Sequence, residues 1–569
     1  MFSESTVWRR WMENAAKYPD ADAIIHWRAG EDPFRWTFSG LIAAAEDAAG
    51  GLVERKVRRG DVCAIIFRHN PYLYPLYLAI CSIGAIPAIL AYPNPRLHPE
   101  KFRQGIAGMS QRSALDCILT ERDLQPQIEP IVVSDQSTIK GLYYPLEWGR
   151  PSLSETDKRW IEETRRSVAP ADPFLLQHSS GTTGLQKPVL LSNRAVMEHV
   201  RNYSAAIDLS RGDKVVSWLP LYHDMGLIAA FHLPLAFGIP TIQIDPFEWV
   251  LVPSLLLEAV TRERGTLTWL PNFAYNVMAD KISDEELTGI DLSSWRMVIN
   301  CSEPVRHESH EKFLRRFQPY GLRSGAIASC YAMAETTFAV AQTSPAAELR
   351  TVSLDRAELS RGRVKPASAD VAARTCVSSG KPIDGCEVRI VDENRSQLAD
   401  GNIGEIAIAS VSLFDGYRNY PEKTADVLQD GFYYSGDYGF QMDGDLFVIG
   451  RKKDVIIVAG NNVYPEDVED AVGKVAGIIP GRVVAFAEEN VSLASEQVAV
   501  VAETAVEDDT ARKALRLEVL KAGMGIDVTI SSVYLVSPRW LIKSSAGKPS
   551  RKANRERILA DRELELKTK

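Results

Sequence analysis

Short apolar runs alternate with helical segments over residues 1–165, and Val62-Cys63-Ala64-Ile65-Ile66-Phe67 is one such run. Strand and helix patterns in alternation predict an α/β layer architecture. The opening residues, Met1 to Ile24, read as an amphipathic helix leading into a domain. From Pro71 to Pro95 no residue is charged, the length that a membrane span needs. Pro75, Gly84 and Pro87 interrupt that stretch, however, and Ile86-Pro87-Ala88-Ile89-Leu90 reads as a buried strand following a helix. The buried reading is favoured, and no transmembrane segment is expected. A charged, proline-containing segment, Ser152 to Asp172, leads to the strand-like run Phe174-Leu175-Leu176-Gln177. Gly404-Glu405-Ile406-Ala407-Ile408 and Leu446-Phe447-Val448-Ile449-Gly450 predict a β-rich subdomain, and beyond Arg451 the pattern restarts as strand, helix, strand. The expected organisation is a large N-terminal domain, residues 1–450, of layered α/β subdomains plus the β-rich one. A small α+β domain, residues 451–569, follows it. The charge-dense last twenty residues read as a solvated helix.

Composition narrows the class. With 569 residues, 45% hydrophobic and 24% charged, the chain has the balance of a globular protein of at least two domains. A formal net charge of -9 argues against a broad nucleic-acid footprint. The seven cysteines are scattered and never spaced as CxxC, which fits a reducing, cytoplasmic compartment and speaks against a disulfide framework or a structural zinc site. No apolar leader pattern is present, so a secretory signal is not expected.

The strongest chemical signal is Ser179-Ser180-Gly181-Thr182-Thr183-Gly184-Leu185-Gln186-Lys187. Two glycines let a backbone approach a polyphosphate and turn its N–H groups toward it. Four hydroxyls add donors, and Lys187 adds positive charge. The Walker spacing is absent. Taken alone, such a run reads equally well as a flexible surface loop.

The loop resembles the phosphate loop of the adenylate-forming superfamily, which includes acyl-CoA synthetases, firefly luciferase and nonribosomal peptide adenylation domains. This chain departs from the family pattern at Gln186 and at Pro188, where glycine is usual. Further blocks follow in family order. Trp218-Leu219-Pro220-Leu221-Tyr222-His223-Asp224-Met225-Gly226-Leu227 resembles a block of the fatty acyl-AMP ligase branch, which places His223 beside the acyl pocket; a hydrogen-bonded core histidine is the alternative. Asn300-Cys301-Ser302-Glu303-Pro304-Val305-Arg306 resembles a segment that contacts adenosine, with Cys301 and Ser302 in place of glycine and alanine. Cys330-Tyr331-Ala332-Met333-Ala334-Glu335-Thr336-Thr337 implies Tyr331 and Ala332 near adenine and Glu335 on Mg²⁺, with Thr183 a second candidate metal ligand. A hard cation takes oxygen ligands and needs few protein carboxylates beside substrate phosphates. Tyr434-Ser435-Gly436-Asp437 resembles the ribose block, and Gly450-Arg451-Lys452-Lys453-Asp454 the hinge block, with Arg451 on ribose or phosphate and Lys453 as pivot. Ser544-Ser545-Ala546-Gly547-Lys548 resembles the block whose lysine is the mobile catalytic cation, here followed by Pro549.

The resemblance covers essentially the whole chain. It implies ATP- and Mg²⁺-dependent conversion of a carboxylic acid, a fatty acid by the branch resembled, into an acyl-adenylate with release of pyrophosphate. It further implies a mobile C-terminal domain and transfer of the acyl group to a thiol. Segment 351–380 resembles the stretch of fatty acyl-AMP ligases that disfavours CoA, so an acyl carrier protein is the expected acceptor and free CoA the alternative. A non-catalytic acyl-nucleotide binding protein is the competing class. Trp269-Leu270-Pro271-Asn272-Phe273-Ala274-Tyr275 is expected to contribute pocket wall, although aromatics at such spacing are often core.

Overall fold

The computed structural model describes residues 5–93, 99–133, 137–178, 186–458, 461–490, 495–543 and 549–567. Its largest layer is a nine-stranded sheet. The central strands Val215–Ser217, Thr241–Ile244, Leu267–Leu270 and Met297–Asn300 are buried at every position, as strands covered on both faces are. Together with Asp22–Trp27 and Ile327–Ala332 they form a parallel array. Antiparallel strands close both ends, Phe34–Thr37 at one and Ala339–Gln342 with Lys381–Pro382 at the other.

A second, four-stranded parallel sheet runs Ile86–Ile89, Val62–Ile66, Cys117–Thr120, Gly141–Tyr143. The uncharged stretch after Pro71 forms the helix Leu73–Ser82, buried along its whole length, and then the strand Ile86–Ile89. Its apolar character therefore serves the core. Among the described residues no helix is long and apolar enough to cross a membrane. The opening helix, Val7–Lys17, buries Trp8 and Trp11 and turns its charged side outward. The charged segment after Ser152 contains the helix Glu155–Ser167, capped by the Ser154 hydroxyl.

The β-rich part is a five-stranded antiparallel sheet that includes Cys386–Val391, Gly404–Ser410, Phe432–Met442 and Asp445–Arg451. Beyond it, Ile478–Asn490, Ser495–Thr504 and Ile530–Val536 make a separate three-stranded sheet. One face packs Val468, Val472, Leu515 and Val519 from the helices Pro465–Gly473 and Asp509–Met524. The other face packs Leu541 and Ile558, the latter from the helix Arg551–Lys567. That last helix is thus anchored along one side and not simply solvated. The mixture of antiparallel and parallel pairing with helices on both faces is the α+β unit expected from the restart after Arg451.

An ionic cluster ties this unit to the body. Asp467, on the helix Pro465–Gly473, lies 3.3 Å from Arg306, 3.7 Å from Arg356 and 3.1 Å from Arg374. Arg356 and Arg374 both belong to the hairpin formed by Thr351–Asp355 and Ala373–Val377 with the short helix Arg356–Ser360 between them. Arg306 also donates to the Glu466 carbonyl at 2.8 Å.

Candidate active site

In open α/β sheets, ligands bind outside the carboxyl ends of the parallel strands. Here Val215–Ser217 leads into the His223 block, Leu267–Leu270 into Asn272 and Phe273, Met297–Asn300 into Ser302-Glu303-Pro304, and Ile327–Ala332 into Glu335. The separated motifs of the sequence are therefore brought to one edge by chain topology.

The loop Ser179, Ser180, Gly181, Thr182, Thr183, Gly184 lies outside the described residues, so Thr183 as a metal ligand does too. Its supports are described. The strands Pro173–His178 and Pro188–Ser192 pair antiparallel with His178 opposite Pro188. Pro188 occupies the first position of its strand, a place that tolerates the missing N–H. His178 is fixed by a 2.8 Å contact between Nε2 and the Ser113 hydroxyl, and the Gln177 amide donates to the Tyr222 carbonyl at 2.9 Å. The third strand of this small sheet, Gly416–Tyr417, sets Tyr417 opposite Val189.

Lys187 is half-buried. Its ammonium donates to the Tyr417 hydroxyl at 3.3 Å and stands 4.8 Å from the centre of that ring. Burial lowers its pKa below the ordinary lysine value, while the Glu335 charge acts in the opposite direction. Glu335 sits on the one-turn helix Ala334–Thr336, 7% exposed, and its Oε1 accepts a 2.7 Å hydrogen bond from Tyr417. Its backbone carbonyl accepts from the Phe414 N–H at 2.9 Å.

A second group holds Tyr331, Asp437 and Arg451. The Tyr331 hydroxyl donates to Asp437 Oδ2 at 2.7 Å, and Arg451 Nε lies 3.4 Å from Asp437 Oδ1. The two charged residues face each other across paired strands. The negative charge of Asp437 is the main cause of a raised Arg451 pKa. Arg451 keeps 47% of its side chain open to solvent. Ala332 ends the strand that carries Tyr331. Lys453 follows in the turn Lys452–Asp454; the surrounding protein, then Arg451, lower its pKa, and Lys187 contributes to the same field. Lys187, Glu335, Tyr331, Asp437, Arg451 and Lys453 thus share one electrostatic neighbourhood.

The His223 block and the Ser302-Glu303-Pro304 segment meet at a third point. His223 lies in a tight turn, its N–H donating to the Pro220 carbonyl at 3.1 Å, with the Tyr222 ring 4.8 Å away. The following π-helix, Met225–His232, starts at Asp224, whose side chain accepts from the Met225 N–H. Ser302 adopts a left-handed backbone, φ 68°, and its hydroxyl reaches the Met225 sulfur at 3.7 Å. Glu303 accepts the Phe273 N–H at 2.9 Å, and Pro304 leads to Arg306, whose N–H donates to Asn272 at 3.0 Å. The segment 269–275 is mostly core. Trp269 and Tyr275 are fully buried and bonded to Tyr203 and the Val298 carbonyl, so only Phe273, 39% exposed, is left to face an open surface.

Lys548 lies outside the described residues. Lys543 and Pro549, which flank that block, form a β-bridge. Arg551 is clamped by Asp454 at 2.6 Å, Glu466 at 3.0 Å and Glu469 at 2.7 Å. Sequence reasoning did not single out Arg551, Asp467 or Tyr417; their partners lie far away in the chain and no local spacing announces them.

Among the described residues no group of three or more His, Cys, Asp or Glu side chains stands ready to hold a metal ion. One buried carboxylate beside a lysine suits a hard cation whose other ligands come from nucleotide phosphates and water.

A carboxylate at the parallel-sheet edge, a lysine beside the small three-stranded sheet and a Tyr–Asp–Arg cluster reaching into the antiparallel sheet make a charge arrangement suited to a nucleotide in an α/β enzyme. The chain belongs to the AMP-binding enzyme family, which matches residues 11–418. It is 30% identical over 538 residues to the long-chain-fatty-acid–AMP ligase FadD26 of Mycobacterium marinum, covering 88% of each chain. It is 32% identical over 388 residues to the medium-chain-fatty-acid–acyl-carrier-protein ligase JamA of Moorena producens, which covers 63% of this chain and 65% of that one. A solved fatty acyl-adenylate ligase, from work on the E. coli and L. pneumophila enzymes, shares the fold with a TM-score of 0.89 at 24% identity over 99% of both chains. The chain is a ligase of the adenylate-forming type and uses ATP.

Proposed function

We propose that the protein activates a fatty acid as its acyl-adenylate and passes the acyl group to the phosphopantetheine thiol of an acyl carrier protein. The observation that carries this reading is the gathering of Lys187, Glu335, Asp437 and Arg451 in one electrostatic neighbourhood. A carboxylate is ionised at neutral pH, so the first step needs no general base. One carboxylate oxygen attacks the α-phosphorus of ATP; the new C–O–P linkage forms as the α–β phosphoanhydride breaks and pyrophosphate leaves with the electron pair. The demand on the protein is electrostatic. Asp437 is proposed to accept hydrogen bonds from ribose hydroxyls, with Arg451 beside it, and Lys187 to meet a phosphate. His223 is proposed to orient the acid. Mg²⁺ on Glu335 would supply further positive charge at the phosphates. In the second step the thiol sulfur attacks the acyl carbonyl, its proton goes to solvent, and AMP leaves.

Lys548 is proposed as the catalytic cation of adenylation and Lys453 as the pivot that moves residues 451–569 between the two steps. The carrier-protein acceptor is supported by the naming of JamA, and the fatty acid by that of both relatives. Carboxylate-dependent exchange of pyrophosphate into ATP, run across a panel of acids, tests the first step, and carrier protein against CoA as acceptor tests the second. Lys548→Ala is expected to slow the exchange about 10²-fold or more. An unchanged rate would remove that lysine from the mechanism, and a wild-type protein with no exchange for any acid would leave only a non-catalytic binder.

A further inference from the structure

Tyr417 lies between two opposite charges. It is 3% exposed and sits on the two-residue strand beside Pro188–Ser192. A phenol has one proton to give and lone pairs to receive with. The proton goes to Glu335 Oε1 at 2.7 Å, and the oxygen receives Lys187 Nζ at 3.3 Å. The backbone is held too, since the Tyr417 N–H donates to the Thr424 hydroxyl at 2.9 Å and the Phe414 ring packs 4.9 Å away.

Without this hydroxyl, a half-buried ammonium and a buried carboxylate would be drawn into direct contact, because attraction between them is strong where water is excluded. A Lys187–Glu335 pair would use both charges on each other. With the phenol interposed, one carboxylate oxygen is committed to a neutral donor and the other can meet a hard cation.

We propose that Tyr417 is a positioning residue that keeps Lys187 and Glu335 from pairing, so that the carboxylate serves a divalent cation and the lysine serves a nucleotide phosphate. This rests on the reading of Glu335 as the metal-binding carboxylate, and the test separates the two.

The probe is Mn²⁺, followed by its electron paramagnetic resonance signal in the full-length protein with a non-hydrolysable ATP analogue. Tyr417→Phe is expected to weaken Mn²⁺ binding about tenfold, the scale for losing a hydrogen bond to a charged group. Tyr417→His, which keeps an N–H donor and is neutral at pH 8, is expected to stay within about threefold of wild type. Glu335→Gln reports on the underlying site. If Glu335→Gln binds Mn²⁺ like wild type, the metal reading falls and this inference with it. If Glu335→Gln loses Mn²⁺ while Tyr417→Phe does not, only the positioning role is overturned, as it is if the Phe and His variants weaken binding equally. Should Tyr417→Phe fail to fold, Tyr417→His decides: near-wild-type affinity supports the role and a tenfold loss overturns it.

Discussion

Lys543 shows how one side chain reports on the joint between the α+β unit and the body. Burial, and then Arg482, lower its pKa to about 8, while Glu503 and Glu303 pull it upward. Because the folded-state value lies below the unfolded one, the unfolded chain binds more protons between about pH 8 and the ordinary lysine value near 10.4, and stability rises with pH across that window. Below it the full penalty remains, bounded by about 3 kcal/mol. Lys543→Met is therefore expected to melt higher than wild type at pH 7, with the difference shrinking between pH 8 and 10. A difference independent of pH would show that the ammonium is not the cause. At this scale the sequence was informative where chemistry and resemblance agreed: Tyr331, Asp437 and Arg451 were named from three separate blocks, and they meet within 3.4 Å. Tyr417 was invisible because its contact with Lys187 spans 230 positions and depends on a two-residue strand pairing.

At the scale of elements, the His223 turn depends on close backbone approach. A Cβ on Gly226 would come within 2.3 Å of the Pro220 carbonyl oxygen, a contact that backbone has to move to relieve. Gly226→Ala is expected to shift the turn that holds His223. The exchange assay should show a higher acid KM, about tenfold or more, with ATP binding little changed. An equal effect on both substrates would place the damage elsewhere. The wide loop-to-helix passage here is a π-helix, Met225–His232, buried at all eight positions. A run apolar on every side carries no period from which such a widening could be read. The same limit explains the segment 269–275, where aromatic residues predicted as wall are mainly core: composition does not say which side of a layer a ring occupies. The strands, by contrast, were legible, since Val62–Ile66, Gly404–Ser410 and Asp445–Arg451 fall where apolar runs and flanking glycines put them.

For the molecule as a whole, the three-arginine cluster on Asp467 governs how the C-terminal unit is held. Arg374 is 7% exposed, so removal of Asp467 strands a buried charge, a change that costs about 3–5 kcal/mol. Asp467→Ala is expected to speed tryptic cleavage within residues 451–569 by about tenfold or more while the N-terminal core resists as before. Unaltered cleavage kinetics would mean that apolar packing alone fixes the unit. The cluster was not legible in the sequence, because its members are drawn from positions 306, 356, 374 and 467.

The parallel sheet also has an implication for variation. Its strands are buried and intolerant, yet the segments carrying His223, Asn272, Ser302 and Glu335 all leave the same rim, each following one of its parallel strands. Exchange of a single rim connection, such as the one after Val215–Ser217, would retune which acid is accepted while the scaffold beneath stays intact. Divergence toward new substrates is then a matter of replacing edges, not of rebuilding the interior.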